Sequence, residues 1–307
     1  MKSSGCSFVR AIKDILQPVR CFSDAFVDDV AVHSDKWAEH MTHLDKFLYR
    51  IKVAGLTLNL QKCKWAQAQV KFCGEIIGSG KLLADPKKLQ VVHNMRPPQT
   101  QRELRRILGF FSYIREHILN FATIAKPLTD LTIKRYRNSI PWGDTQQQAF
   151  DSLKLSLEKA TEEPLYTVDF EKPFNLFVDA SSETVASALT QTGPDGNELP
   201  IAFSSAKLNQ TQSKWSTIEK EAYSAITALR KYRTWLLLSK VFLFSDHNPL
   251  KYISESAPKS AKLMRWSLAL SERLSTIPAR RMLLQTVFHV QSENLFCVIV
   301  LLVYCCE

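Results

Sequence analysis

Residues 174–182 read FNLFVDASS and residues 241–246 read VFLFSD. Each is a short run dominated by strand-forming apolar residues that ends on an aspartate, Asp179 in the first and Asp246 in the second. Between them Val185 to Gln191 and Pro200 to Ser204 read as further strands, joined by the turn Gly193-Pro194-Asp195-Gly196. A long helix is predicted from about Lys214 to Leu237, and its apolar face includes Ile218, Ala222, Ala225 and Leu229. Glu221 lies beside that face in the first half of the helix and so looks toward a sheet. Glu219 is its local rival. The region thus offers three carboxylates on a strand, a helix and a strand.

Such a set has a chemical use. Two-metal cleavage of a phosphodiester needs several carboxylates converging on ions ~3.5–4 Å apart, one ion activating water and the other steadying the leaving oxygen. Magnesium takes hard oxygen ligands and keeps waters, so Asp and Glu are suitable donors. Taken singly, each of the three is more simply read as a solvated group or a turn cap.

Working outward, residues 1–95 contain a second acidic signal, Phe26-Val27-Asp28-Asp29, followed by an amphipathic helix from Trp37 to Ala54 that ends at Gly55. Leu56 to Leu60 and Val70 to Ile77 read as strands, with Gly78 and Gly80 closing a turn. After Pro97-Pro98, Thr100 and Glu103 form a capping box for a helix whose stripe is Leu104, Ile107, Leu108, Phe111 and Ile114. Another helix is expected from about Thr145 to Ala160, with loops around Pro127, Pro141 and Pro164. Ala261 to Leu274 reads as a last amphipathic segment.

Composition narrows the partners. The 307 residues are 45% hydrophobic and 23% charged, which is ordinary for two or three folded domains rather than disorder. Lys and Arg number 40 against 30 Asp and Glu, a net charge of +10 that favours polyanions. Seven cysteines without a CxxC pair argue against a zinc site or disulfide framework and for a reducing compartment. The first residues lack the apolar core of a signal peptide, so an intracellular location, cytoplasmic or nuclear, is expected. Leu295 to Cys306 is nearly unbroken apolar sequence, shorter than the ~20 residues that span a bilayer; no membrane anchor is expected.

Together these motifs resemble a known family. FNLFVDASS, LPIAFSSAKLNQTQSKWSTIEKEAYSAITALRKYRTWLL and VFLFSDHNPLKYI are similar to the ribonuclease H domain of gypsy-type LTR retrotransposon Pol polyproteins. The resemblance makes Asp179, Glu221 and Asp246 metal ligands and prefers Glu221 to Glu219, because the family's ligand immediately precedes the run from Ala222 to Ile226. His247 is read as part of the Asp-His turn. Upstream, FVDDVAVHSDKWAEHMTHLDKFLYRIKVAGLTLNLQKCKW looks like the distal palm of a reverse transcriptase, with Asp28 and Asp29 as metal-binding carboxylates. Phe72-Cys73-Gly74 resembles the primer-contacting turn, and RELRRILGFFSYIREHILNFATIAKPLTDL resembles the thumb.

The resemblance implies a fold of mixed α+β and α/β character. A partial palm (1–95) is followed by a helical thumb or connection (96–165), a ribonuclease H-like mixed sheet with flanking helices (166–294), and an aberrant apolar tail (295–307). It also implies Mg2+, or Mn2+, as cofactor. The partners would be an RNA:DNA hybrid or template-primer, gripped by Arg102, Arg105, Arg106 and Arg115 on the thumb and by Lys214 near the nuclease helix. Lys207, Lys231 and Arg233 also flank that helix, while Trp215 and Trp235 are read as packing residues.

Two departures from the family pattern stand out. Too few residues precede Asp28 to hold the fingers or the earlier palm strand that carries another Asp, and Asp24 is no substitute; DNA synthesis by this chain alone is not expected. FHVQSEN at 288–294 resembles the strand and turn before the family's fourth nuclease Asp, yet no Asp follows Asp246. Residual ribonuclease H action is expected on this reading. The alternative is an inactive remnant that still binds nucleic acid.

Overall fold

The computed structural model describes residues 4–133, 136, 139–237, 239–245, 275–276 and 297–304. The chain divides into two compact units, Met1–Asp85 with Val287–Glu307 and Pro86–Thr286.

The first unit begins with helix α1 (Ser4–Leu16) and a hairpin of β1 (Ser23–Phe26) and β2 (Asp29–Ser34). The pair Phe26↔Asp29 leaves Val27 and Asp28 as the two-residue turn. Helix α2 (Trp37–Val53) covers the hairpin because His40, Leu44, Phe47 and Ile51 recur at helical spacing on one side. With Ile12, Leu16, Val19, Phe22, Val30 and Val32, the last three of these α2 residues form the core. Short strands follow: β3 (Thr57–Leu58), β4 (Lys64–Gln67), β5 (Val70–Phe72), β6 (Glu75–Gly78) and β7 (Lys81–Ala84).

Two features correct the sequence reading of this unit. Val70 to Ile77 is not one strand but breaks at Cys73 and Gly74, which both take positive φ (51° and 76°) between paired Phe72 and Glu75. Two successive positive φ values match the right-handed twist of a tight hairpin, and glycine makes the second of them easy. Gly78 is needed for a different reason: a Cβ there would lie 2.1 Å from the Ala68 carbonyl oxygen. The apolar run expected to be a tail forms, over Cys297–Tyr304, a strand antiparallel to β2, from Cys297↔Ser34 to Leu302↔Asp29. It also pairs with β3 and β4, so β2 is an interior strand with its backbone groups paired on both sides.

The second unit opens with helices α3 (Pro86–His93), α4 (Gln101–Tyr113), α5 (Phe121–Asp130) and α6 (Asp144–Glu162). The Thr100–Glu103 capping box at α4 is present. Pro127, expected in a loop, sits inside α5. Burial of Ala125 and Leu128 on one face of α5 outweighs the backbone bond that a proline removes. After β8 (Leu165–Tyr166) comes a mixed sheet built from β9 (Phe174–Ala180), β10 (Thr184–Thr192), β11 (Glu198–Lys207), β12 (Val241–Phe244) and β13 (Ser275–Thr276), in the order β11-β10-β9-β12-β13. The first three strands are antiparallel, whereas β12 runs parallel to β9. A parallel neighbour needs a crossover, and the predicted long helix provides it as α7 (Thr217–Lys231) and a short α8 (Arg233–Leu236).

Strand β10 is buried along Thr184–Gln191 because α7 and α5 both pack on it. Its small residues Ala186, Ser187 and Ala188 permit that approach. Helix α5 is fastened by a bond from the Ala122 amide to the Ser205 hydroxyl (2.8 Å), by Thr123 to Thr184 (2.9 Å) and by ion pairs of Lys126 with Glu183 and Lys207 with Asp130. Thus the helices expected to make a thumb share a unit with the mixed sheet. The core holds Phe174, Leu176, Val178, Leu189, Ile201, Ala225, Ile226, Leu229, Tyr232, Val241 and Leu243. No helix among the described residues is long and apolar enough to cross a membrane. The segment from Ala261 to Leu274 and residues 288–294 lie outside the described residues.

His40 gives the first unit a pH dependence. Its ring is fully buried, Nδ1 meets the Ser34 hydroxyl at 3.1 Å, and Nε2 has no hydrogen-bond partner. Burial, then the neighbouring His43 and His33, hold its pKa below the ordinary 6.5. The fold therefore prefers neutral His40, and stability present above the ordinary value is lost as pH falls through the lowered one. The urea midpoint of the first unit is expected to drop between about pH 7 and about pH 5, and His40→Phe to flatten that slope. An unchanged slope in the variant would refute the assignment.

Candidate functional site

Asp179 is the sixth residue of β9 and is exposed; it still pairs with Ala186 of β10, beyond the last pair of β9 with β12. The chain turns at once. Ser181 makes the turn, its amide donating to the Thr184 carbonyl at 2.8 Å and its hydroxyl accepting from the Thr184 amide at 2.9 Å. The parallel partner β12 ends level with this region, as Phe244 pairs with Phe177 and their rings stack with centroids 4.7 Å apart. Ser245 follows directly. Asp246, the third carboxylate expected in the set, lies outside the described residues.

The two glutamates of α7 have different jobs. Glu219 is the third helical residue and closes a capping box, its carboxylate accepting from the Ser216 amide at 3.1 Å while its own amide donates to the Ser216 hydroxyl. Glu221 is only 1% exposed. Its Oε2 accepts a hydrogen bond from the Ser245 hydroxyl at 3.2 Å. One turn further on, Ser224 directs its hydroxyl at the backbone carbonyls of Asp179 (3.1 Å) and Ala186 (3.0 Å). These contacts gather the end of β9, the first turns of α7 and the end of β12. Neither serine carried a signal in the sequence reading.

The donors are all oxygens, which fits a hard divalent ion and not a thiolate or imidazole site. Among the described residues no group of three or more His, Cys, Asp or Glu side chains is placed to hold a metal.

The second acidic position is the hairpin turn of the first unit. Val27 has φ 58°, in a region that a β-branched residue rarely adopts, so the turn that presents Asp28 carries backbone strain. Asp28 and Asp29 are half-buried. Burial, then the charge of Asp28, push the Asp29 carboxyl above the usual range. The Cys73 thiol is also pushed up, by burial and then by Asp29, Glu75 and Asp24, so the Cys73-Gly74 turn lies beside the carboxylates of the hairpin. Asp24 is on β1 itself, paired with Ala31, and faces His33 across the strands.

Of the basic residues, Arg102, Arg105 and Arg106 lie exposed on one side of α4, with Arg105 donating to the Thr132 carbonyl at 3.2 Å. Arg115 is exposed in the short 3-10 turn that follows, and Lys214 is exposed in the one before α7. Lys231 pairs with Glu116. Trp215 packs edge-on against Tyr223, and Trp235 stacks on Tyr232, as packing residues do.

An acidic hairpin turn in one sheet, and a strand-end Asp on a mixed sheet whose crossover helix carries a buried Glu, are the features of a reverse transcriptase palm and a ribonuclease H-like domain. Residues 1–77 match the family model of the reverse transcriptase (RNA-dependent DNA polymerase), and residues 169–272 match that of the RNase H-like domain found in reverse transcriptase. Over most of its length the chain has retrotransposon Pol polyproteins as homologues, gypsy-type elements among them. It is 34% identical over 283 residues to the retrovirus-related Pol polyprotein from transposon opus of Drosophila melanogaster, an alignment covering 89% of this chain and 28% of that protein. Against the Pol polyprotein from transposon gypsy of the same organism the identity is 30%, covering 87% and 26%.

The transposon Tf2-3 polyprotein of Schizosaccharomyces pombe is 31% identical, over 80% of this chain and 18% of its own length. The chain therefore spans about a quarter of the curated relatives it matches. Among solved structures, the foamy viral protease-reverse transcriptase in complex with RNA/DNA hybrid superposes with a TM-score of 0.76 at 24% identity, covering 94% of this chain and 40% of that one. A form of the same protein in complex with double-stranded DNA gives 0.80 at 23%, covering 92% and 50%. At these identities the likeness establishes the fold.

The raised Asp29 pKa has a sign that can be tested. A carboxyl whose folded pKa lies above its unfolded one is destabilising when ionised at neutral pH. Asp29→Asn is therefore expected to raise the melting temperature of the chain by about 2 °C. A lower melting temperature in the variant would contradict this account of the hairpin.

Proposed function

We propose that the Pro86–Thr286 unit hydrolyses the RNA strand of RNA:DNA hybrids in an intracellular setting. The observation that carries this reading is Glu221, a carboxylate buried at a helix–sheet contact and bonded to the residue before Asp246, on a helix tied by Ser224 to the strand end that bears Asp179. Burying a carboxylate is costly, so its place in the core argues for a task.

Asp179, Glu221 and Asp246 would hold magnesium, with manganese as a substitute; bound there, the ion supplies an activated water and stabilises the departing oxygen. The chain's own residues supply the geometry. β9 and β12 run side by side and deliver their ends to one end of the sheet, and α7 brings Glu221 to the end of β12. Lys214 and the exposed arginines Arg102, Arg105, Arg106 and Arg115 would contact phosphates of the hybrid, a grip that weakens as salt rises.

For the first unit we propose binding of a template-primer duplex beside Asp28 and Asp29. The second reading, a binding remnant without turnover, is favoured by one observation: no Asp follows Asp246.

The test is cleavage of a labelled RNA:DNA hybrid by the full chain with magnesium. Asp179→Asn is expected to lower the rate by about 100-fold or more, since losing a ligand should cost at least as much as losing an outer-sphere partner. Binding of the hybrid with no cleavage by either protein would select the remnant reading instead.

A further inference from the structure

We infer that Ser245 is a positioning residue for the Glu221 carboxylate, fixing it in the orientation in which it receives a divalent ion; this rests on the ribonuclease H reading above. Glu221 is 1% exposed, so solvent does not set the rotation of its carboxylate. The Ser245 hydroxyl donates to Oε2 at 3.2 Å, which selects one plane for the group. Because Ser245 directly follows β12, whose register is locked to β9 by pairs from Val241↔Phe174 to Phe244↔Phe177, its hydroxyl is itself held by the sheet. The helix end of the arrangement is equally fixed. Ser224 is 2% exposed and binds the carbonyls of Asp179 and Ala186, which are partners in the β9–β10 ladder. Glu221 is thereby placed relative to Asp179 by hydroxyl contacts at both ends, and not by apolar packing alone.

A hydroxyl at position 245 has a second consequence. A hydrogen bond donated into a buried carboxylate replaces part of the hydration that burial removes. An alanine there keeps the backbone and removes only the donor. Threonine keeps the donor and suits a position at a strand end.

The experiment compares the full chain with Ser245→Ala, Ser245→Thr and Glu221→Gln by calorimetric titration with Mn2+ and by the magnesium dependence of hybrid cleavage. Ser245→Ala is expected to weaken Mn2+ binding by about 10-fold and to raise the half-saturating magnesium concentration equally, with kcat at saturating metal changed much less. Ser245→Thr restores both, and Glu221→Gln abolishes the component that Ser245→Ala weakens. Unchanged Mn2+ affinity in Ser245→Ala overturns the proposal, as does a loss that Ser245→Thr fails to restore. Cleavage by the unsubstituted chain is a separate readout: metal binding that responds to Ser245 without any cleavage would sink the nuclease reading and leave the positioning role standing.

Discussion

Burying one carboxylate constrains the nuclease-like unit more than any other contact. Glu221 sits at 1% exposure on a helix whose neighbouring residues Ala225, Ile226, Ala228 and Leu229 belong to the apolar core. A charge in such a place has to be met by donors or by an ion, since desolvation otherwise drives it to the neutral form. The sheet beneath is arranged accordingly. Small residues along β10 let α7 come close, a serine on that helix reaches the ladder's own carbonyls, and the parallel strand β12 ends where its next residue can reach the carboxylate. A variant that made this helix a better-packed apolar element would also remove the reason for its geometry.

The hairpin of the first unit expresses the same trade differently. Its carboxylates are not deeply buried, and the tension is in the backbone at Val27 and in the like charges of Asp28 and Asp29. A strained turn that presses two negative groups together is a poor way to connect two strands and a good way to present charge.

Much of this was legible from sequence, for physical reasons that can be named. Runs of alternating or continuous apolar residues ending in Asp gave β9 and β12, helical spacing gave α2, α4 and α7, and the pair Thr100 and Glu103 marked a helix start that the fold retains. Glu219 and Glu221 could not be parted by periodicity; the cap at Ser216 parts them in the structure. Other features escaped because local propensity was overruled at a distance. Pro127 reads as a helix breaker, but docking of α5 on β10 and β11 keeps it helical. Cys73-Gly74 is not one of the usual hairpin dipeptides, so the strand pattern alone runs through it, and only the family resemblance marks a turn there. Ser224 and Ser245 are common residues whose role depends wholly on partners remote in sequence.

The strand Cys297–Tyr304 joins segments remote in sequence, because it pairs with β2 while the whole of Pro86–Thr286 lies between them. The palm-like unit is thus discontinuous, and its sheet closes only after the intervening unit has been made. On a ribosome the second unit can collapse on its own local contacts while β2 waits with an open edge for a partner that emerges only after that unit. Order of synthesis, and not only equilibrium stability, then governs how long that edge is exposed to the strands of other nascent chains.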